Sequence, residues 1–287
     1  MNHSHSHSHT HDHVDFDWAA MADLLELEGE AHLPYVRGAL ARFEGQTPGR
    51  ILDVGSGPGV AACEMAQRFP ASEVVAVDGS PELLARAEKR AARLGVQLTT
   101  RVAEFPADLP DLPDADLVWS AQVIHHVGDQ LGALTQLAGR LRPGGVLAIA
   151  EGGLAPRFLP RDVGFGRPGL LFRLDAAVTD RFNHMRDELP ESVAVAEDWP
   201  AMLRDAGLAD AHSQSFLVDR PAPLGAEPRR WLRDSLERQR QVLADYLAAD
   251  DLATLDRLLD PADPAGIDNR ADVFLLVAKT VHFARRP

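Results

Sequence analysis

The chain has 287 residues, 45% of them hydrophobic and 25% charged, with a formal net charge of -14. The hydrophobic share is that of a globular protein able to bury a sizeable core in one large or two modest domains. The negative charge argues against nucleic acid, because phosphate binding needs a basic surface, and against anionic membrane lipids. No run approaches the roughly 18 apolar residues of a membrane span, and the histidine-rich beginning does not read as a secretion signal. The single cysteine, Cys63, leaves no internal disulfide and no cysteine-built zinc site, so the expected setting is soluble, reducing and cytoplasmic.

Residues 1–14 read as a disordered tail carrying His3, His5, His7, His9, His11 and His13. Alternate imidazoles there could gather a metal such as nickel or zinc, but the tail is assigned no catalytic role and the folded part is expected to hold no metal. From Asp15 to Phe43 the residues Trp18, Met21, Leu24, Leu25 and Leu27, then Tyr35, Val36 and Leu40, recur at helical spacing. They predict two N-terminal cap helices within 15–45, separated near Gly29.

Short apolar runs then alternate with helical stretches. Strands are predicted at Arg50–Val54, Glu73–Asp78, Gln97–Val102, Ala115–Ser120 and Val146–Glu151, with Pro143-Gly144-Gly145 as a turn. Helices are predicted at Val60–Phe69 and from Ser80 to Leu94, where Ser80 caps, Pro81 suits the first turn and Gly95 ends the helix. A further helical stretch runs to Leu141. Strands alternating with helices imply a parallel sheet covered on both faces. After Glu151 the rhythm fails. Helical segments are expected around Leu170–Leu189, Trp199–Ala206, Pro228–Leu247 and Asp251–Leu259, with late strands at Ala209–Asp219 and Ala271–Ala284.

The most informative run is Ile51-Leu52-Asp53-Val54-Gly55-Ser56-Gly57-Pro58-Gly59. A buried strand enters three alternate glycines and then a helix, which lets backbone approach a ligand and offers free N–H groups to a negative group. Asp53 can accept hydrogen bonds from a cationic amine. A dinucleotide site would want its third glycine at position 60, where Val60 stands. Asp78 ends the second strand 19 residues after Gly59, placed to accept both hydroxyls of a ribose. Together these mark a nucleoside site at the sheet's switch point.

With Val77-Asp78-Gly79-Ser80-Pro81, Ala115-Asp116-Leu117-Val118-Trp119-Ser120, Val123-Ile124-His125-His126 and Leu141-Arg142-Pro143-Gly144-Gly145, the chain resembles the class I S-adenosylmethionine-dependent methyltransferases over residues 50–151. The resemblance implies an α/β, Rossmann-like seven-stranded sheet whose last strand is antiparallel, spanning 46–287, with helical lid insertions at about 152–195 and 220–270. It implies S-adenosylmethionine as cofactor. The glycine loop (Gly55, Ser56, Gly57, Gly59) would lie along its methionine part, Asp53 would support its amino group, and Asp78, with Gly79 and Ser80 beside it, would take the ribose. Ser120 and Ala121 complete the expected cofactor contacts. Where the family often places an acid against adenine, this chain reads Arg101-Val102-Ala103-Glu104-Phe105, so Glu104 or a backbone amide takes that role, with Phe105 or Val102 against the ring.

A sulfonium methyl is already electrophilic, so the site has mainly to align a nucleophile and exclude water. His125 and His126 follow the fourth strand and have the right intrinsic pKa for a general base, although either could only cap and pack a helix. His184, His212 and Glu151 are weaker candidates. Phe158, Phe165, Phe172, Phe182, Met185 and Trp231 could line a pocket or simply fill core, and Arg157, Arg161, Arg167 and Arg173 could meet an acidic substrate. The leading expectation is methyl transfer to a small molecule in specialised metabolism, a hydroxyl oxygen first, with nitrogen or carbon open. A repurposed fold member catalysing a non-methylating step, and a non-enzymatic cofactor- or metal-binding regulator, are the alternatives. A homodimer through the N-terminal helices is left open.

Overall fold

The computed structural model describes residues 18–189 and 191–287; the histidine tail lies outside them. Seven strands form one sheet in the order β3-β2-β1-β4-β5-β7-β6. They are β1 (Arg50–Val54), β2 (Glu73–Asp78), β3 (Thr99–Val102), β4 (Ala115–Ala121), β5 (Leu141–Arg157), β6 (Ala209–Arg220) and β7 (Leu275–Arg285). β1 to β5 pair in parallel, and β7 runs antiparallel to both neighbours, β5 and β6. The strand order reverses between β1 and β4, so the carboxyl ends of these parallel strands open a crevice there.

The helices are α1 (Trp18–Leu40), α2 (Val60–Arg68), α3 (Pro81–Leu94), α4 (Gln130–Gly139), α5 (Leu170–Glu188), α6 (Trp199–Asp205), α7 (Ala226–Val242) and α8 (Ala249–Leu259). Ile51, Val74, Leu117, Trp119, Ala148 and Phe283 point to the face covered by α1, α2, α5, α7 and α8. Leu52, Val75, Val118, Leu147 and Ile149 point to the other, with α4 and α6. Central strands buried on both faces explain why they read as continuous apolar runs. Among the described residues no helix is long and apolar enough to cross a membrane.

Three expectations shift. The Pro143-Gly144-Gly145 turn is absorbed into β5, where a register irregularity between the Ala115 and Leu117 pairings takes it up. β7 begins at Leu275 rather than Ala271. The two predicted N-terminal helices are one continuous α1, passing through both Gly29 and Pro34. Gly29 does not break the helix because its missing side chain admits α2: a Cβ there would lie 2.7 Å from Val60 Cγ2. Pro34 has no N–H to give the Glu30 carbonyl. The Arg220 guanidinium, at the end of β6, donates to the carbonyls of Glu30 (3.4 Å) and Ala31 (3.3 Å) and covers that gap. Farther round the helix, Arg90 of α3 holds Glu26 (3.1 Å) and Glu30.

Helix propensity alone favours alanine over glycine at position 29 by about 1 kcal/mol. Val60 is β-branched and stiff, so Gly29→Ala is expected to lower stability by about 1 kcal/mol or more through overpacking. Adding Val60→Ala should recover most of the loss, read as a coupling in a double-mutant cycle by thermal unfolding.

Candidate active site

The loop after β1 is tied to the end of β2 by the Gly55 and Ser56 N–H groups, which donate to the Val77 carbonyl at 2.8 and 3.0 Å. Its three glycines all have positive φ, but each is required for a different reason. A Cβ on Gly55 would lie 2.2 Å from Val123, in the turn after β4, and one on Gly59 would lie 2.4 Å from Ala87 of α3. Only Gly57 faces open space. Close packing of protein on protein therefore accounts for two glycines, and room for a ligand for the third.

Asp53 sits at 2% exposure, and its Oδ2 has no hydrogen-bond partner among the described residues. Burial, and then the neighbouring Asp78 charge, push its carboxyl up to about 7, partly offset by the Ala62 backbone N–H. A buried carboxylate with an empty acceptor is costly unless a cation completes it. The Asp78 carboxylate accepts from the N–H groups of Gly57 (2.8 Å) and Ser80 (2.9 Å). Burial raises its pKa, and those backbone bonds pull it back. Each oxygen keeps capacity for a further donor. The Ser56 and Ser120 hydroxyls are also buried without a partner among the described residues.

The Ser80 hydroxyl is committed to α3, accepting from Leu83 N–H (3.3 Å) and donating to Glu82 (3.0 Å). Gly79 opens onto the Glu104 carboxylate, whose Oε2 would be 2.9 Å from a Cβ. The Glu104 N–H already donates to Asp108 (2.8 Å). Phe105 is half-buried against the core, whereas Val102, beside Asp78 in the sheet register, stands 57% exposed. Ala121 is half-buried at the end of β4.

Glu151, 3% exposed, does what sequence reasoning left undecided. Its Oε1 accepts from the N–H groups of Val123 (3.0 Å) and Ile124 (2.9 Å), and its Oε2 lies 2.8 Å from His125 Nδ1. A buried carboxylate thus orients the His125 imidazole, the arrangement of a base fixed by a third group. His126 packs 4.1 Å from His125, and burial, with His125 beside it, lowers its pKa to about 4. A pKa that low makes it a weak base. From α5, Phe182 packs 5.7 Å from His125, and Arg186 donates to the His125 (3.2 Å) and Val127 carbonyls.

Other candidates are placed elsewhere. His184 pairs with Glu188 on exposed α5. His212 stacks on Phe283 and meets Arg42, beyond the C-terminal end of α1 and away from the glycine loop. Arg167 and Arg173 are both held by buried Asp251, and Arg157 by Asp175, so these three are not poised for an acidic substrate. Phe158 is core, Phe165 packs against it, and Phe172 is exposed under Arg157. The Cys63 thiol is buried and pushed up to about 11 by that burial, which leaves it inert. Sequence reasoning missed the contribution of α1. Tyr35 stacks on Trp119, and its raised pKa, due first to burial, also registers the charges of Asp53, Glu28 and Glu151. The spacing Glu28, His32, Tyr35 on one helical face was the available signal.

A profile described as a methyltransferase domain matches residues 51–145. A trans-aconitate 2-methyltransferase of Mycolicibacterium gilvum is 30% identical over 236 residues, 80% of this chain and 85% of that protein. The chain belongs to the class I S-adenosylmethionine-dependent methyltransferases. A trans-aconitate 2-methyltransferase of Methylobacterium radiotolerans is 28% identical over 231 residues, 78% of this chain and 75% of its own length. A release factor glutamine methyltransferase of Bordetella pertussis is 34% identical over 183 residues, 64% of this chain and 62% of that one.

S-adenosylmethionine is the cofactor, and the methyltransferase carries features that fit it. The unpartnered Asp53 oxygen suits a cationic amine, and open Gly57 leaves the space a Cβ would fill.

Asp53 gives a pH signature. Unfolded, it ionises near pH 4; folded, it keeps its proton to about 7. Between those values the native state binds more protons, so stability falls as pH rises through the window. At pH 8 ligand-free Asp53→Asn should therefore unfold at a higher temperature than wild type, the gap closing below pH 4. The same variant should bind S-adenosylmethionine roughly tenfold to a hundredfold more weakly at pH 8, the worth of a hydrogen bond to a charged group. Calorimetric titration should also show wild-type affinity rising between pH 6 and 8 and the variant's staying flat.

Proposed function

We propose that this methyltransferase acts on a small carboxylic acid and forms its methyl ester. Two relatives that match most of the chain carry trans-aconitate in their names, and a third acts on another acceptor class, so similarity in the cofactor half does not by itself fix the acceptor. The observation that carries the reading is enclosure. α5 closes over the His125 turn through Phe182 and Arg186, and α1 with Trp231 of α7 closes the opposite side, His32 and Trp231 meeting at 4.8 Å. An acceptor reaching the ends of β4 and β5 under these helices is small.

In this reading Asp53 holds the cofactor's amino group, the loop around Gly55, Ser56, Gly57 and Gly59 runs along its methionine part, and Asp78 takes the ribose hydroxyls. Val102 lies against the adenine, with Glu104 at its edge. When bound, the cofactor supplies a methyl group on a sulfonium. A carboxylate oxygen of the acceptor would take that methyl as the carbon–sulfur electron pair returned to sulfur, giving S-adenosylhomocysteine and an uncharged ester group. The acceptor is already ionised at neutral pH, so no proton has to move. Excluding water by α1 and α5 strengthens attraction between the opposite charges that this step consumes.

The Glu151–His125 pair favours a second reading, a hydroxyl acceptor deprotonated at His125 Nε2. Methyl-labelled S-adenosylmethionine and trans-aconitate test the first reading: label should enter the acid as a base-labile ester. Absence of transfer to trans-aconitate and to other small acids would overturn it. Under the ester reading His125→Asn should keep kcat within a few fold, whereas loss of a general base costs about 100-fold to 10,000-fold. Asp78→Ala should abolish measurable cofactor binding in calorimetry.

A further inference from the structure

Outside the contacts already assigned, hydrogen-bond donors and positive charge gather under α1. His32 and Trp231 are each 4% exposed and meet edge to face at 4.8 Å. The His32 Nε2, the Trp231 Nε1–H and the Arg220 Nε–H are all buried without a partner among the described residues. The Arg220 Nη2 donates to the α1 carbonyls of Glu30 and Ala31. Lys279 follows the buried alternation of Val277 and Val281 on the β7 face that α1 covers. It pairs in register with Gly153, two residues beyond Glu151 on β5, at the active-site end of the sheet.

Among the described residues no carboxylate lies within ion-pair distance of Lys279. The acid that meets this cluster is Glu28, whose Oε1 is 3.8 Å from His32 Nδ1 and whose side chain is 41% exposed. The charges of Lys279 and Arg220 both reach the His32 imidazole and, after burial, help keep it neutral.

Buried N–H groups left unpaired cost free energy, and one positive side chain without a counterion adds to that cost. An apolar acceptor would leave every one of these groups unsatisfied. An anion would meet the Trp231 and Arg220 N–H groups and the Lys279 charge together through charge-assisted bonds. We propose that Lys279, Trp231 and Arg220, with His32 among them, form an anion subsite that seats a second carboxylate of the acceptor while another is methylated. This inference rests on the reading of the acceptor as a small carboxylic acid and extends it to acids with more than one carboxylate. It also accounts for what Arg157, Arg167 and Arg173 do not do, since their own carboxylate partners occupy them.

The test uses the full chain saturated with S-adenosylhomocysteine for calorimetry, and labelled S-adenosylmethionine for kinetics, with trans-aconitate as the probe acid. Lys279→Met and Trp231→Phe are each expected to raise its KM and dissociation constant about tenfold or more. Lys279→Arg, which keeps the charge, should lose far less. Affinity for S-adenosylhomocysteine should stay unchanged in all three, which separates loss of the subsite from loss of fold. If wild type esterifies the acid and both variants leave its KM within about twofold, the donors are serving ordered water only. The subsite is then overturned and the ester-forming reading stands. If wild type neither binds nor methylates any small polycarboxylate but does methylate a hydroxyl acceptor, both fall.

Discussion

The buried carboxylate of Glu151 holds the two halves of the site in register. It accepts from two successive backbone N–H groups and lies against an imidazole nitrogen, so its charge is met inside the protein rather than by water. Those bonds fix the turn after β4. Val123 in that turn presses against Gly55, and Gly55 is tied to the end of β2. The Glu151 backbone carbonyl meets His282 Nε2 at 3.1 Å, and His282 Nδ1 meets Ser213 on β6 at 2.7 Å. One residue thus links the glycine loop, the histidine turn and, through its backbone, the far strands of the sheet.

α1 depends on a different compensation. A proline inside a helix and a glycine at its middle both weaken it locally. Here the glycine is used for close packing on α2, and Arg220 covers the carbonyl that Pro34 leaves open. The helix therefore stays whole and presents Glu28, His32 and Tyr35 along one face. Ion pairs from Arg86, Arg90 and Arg93 of α3 to Asp23, Glu26 and Glu30 brace its outer side.

The parallel half of the fold was legible because its signals are local. β1, β2 and α3 coincide with their predicted bounds, since an apolar run, a capping serine, a first-turn proline and a terminal glycine all act within a few residues. Asp53 and Asp78 stand at the strand ends where their sequence positions put them. What escaped was tertiary. Gly29 reads as a break unless one knows that Val60 lies against it. The loop glycines were assigned to one cause, ligand approach, when two of them answer to Val123 and Ala87. The partnership of Glu151 with His125 joins residues 26 apart in sequence, and nothing in either neighbourhood announces it.

β7 alone runs against the rest of the sheet. Because of that reversal its early residues, not its late ones, reach the edge where β4 and β5 end, and they meet a helix drawn from the opposite terminus of the chain. The glycine loop, Asp78 and the histidine turn lie in an unbroken middle stretch, while the helices and strand that pack over them come from both flanks of it. Such an arrangement lets evolution rewrite the flanks while leaving the centre alone. Proteins sharing this centre can therefore diverge in what they modify without relearning how to deliver the methyl group.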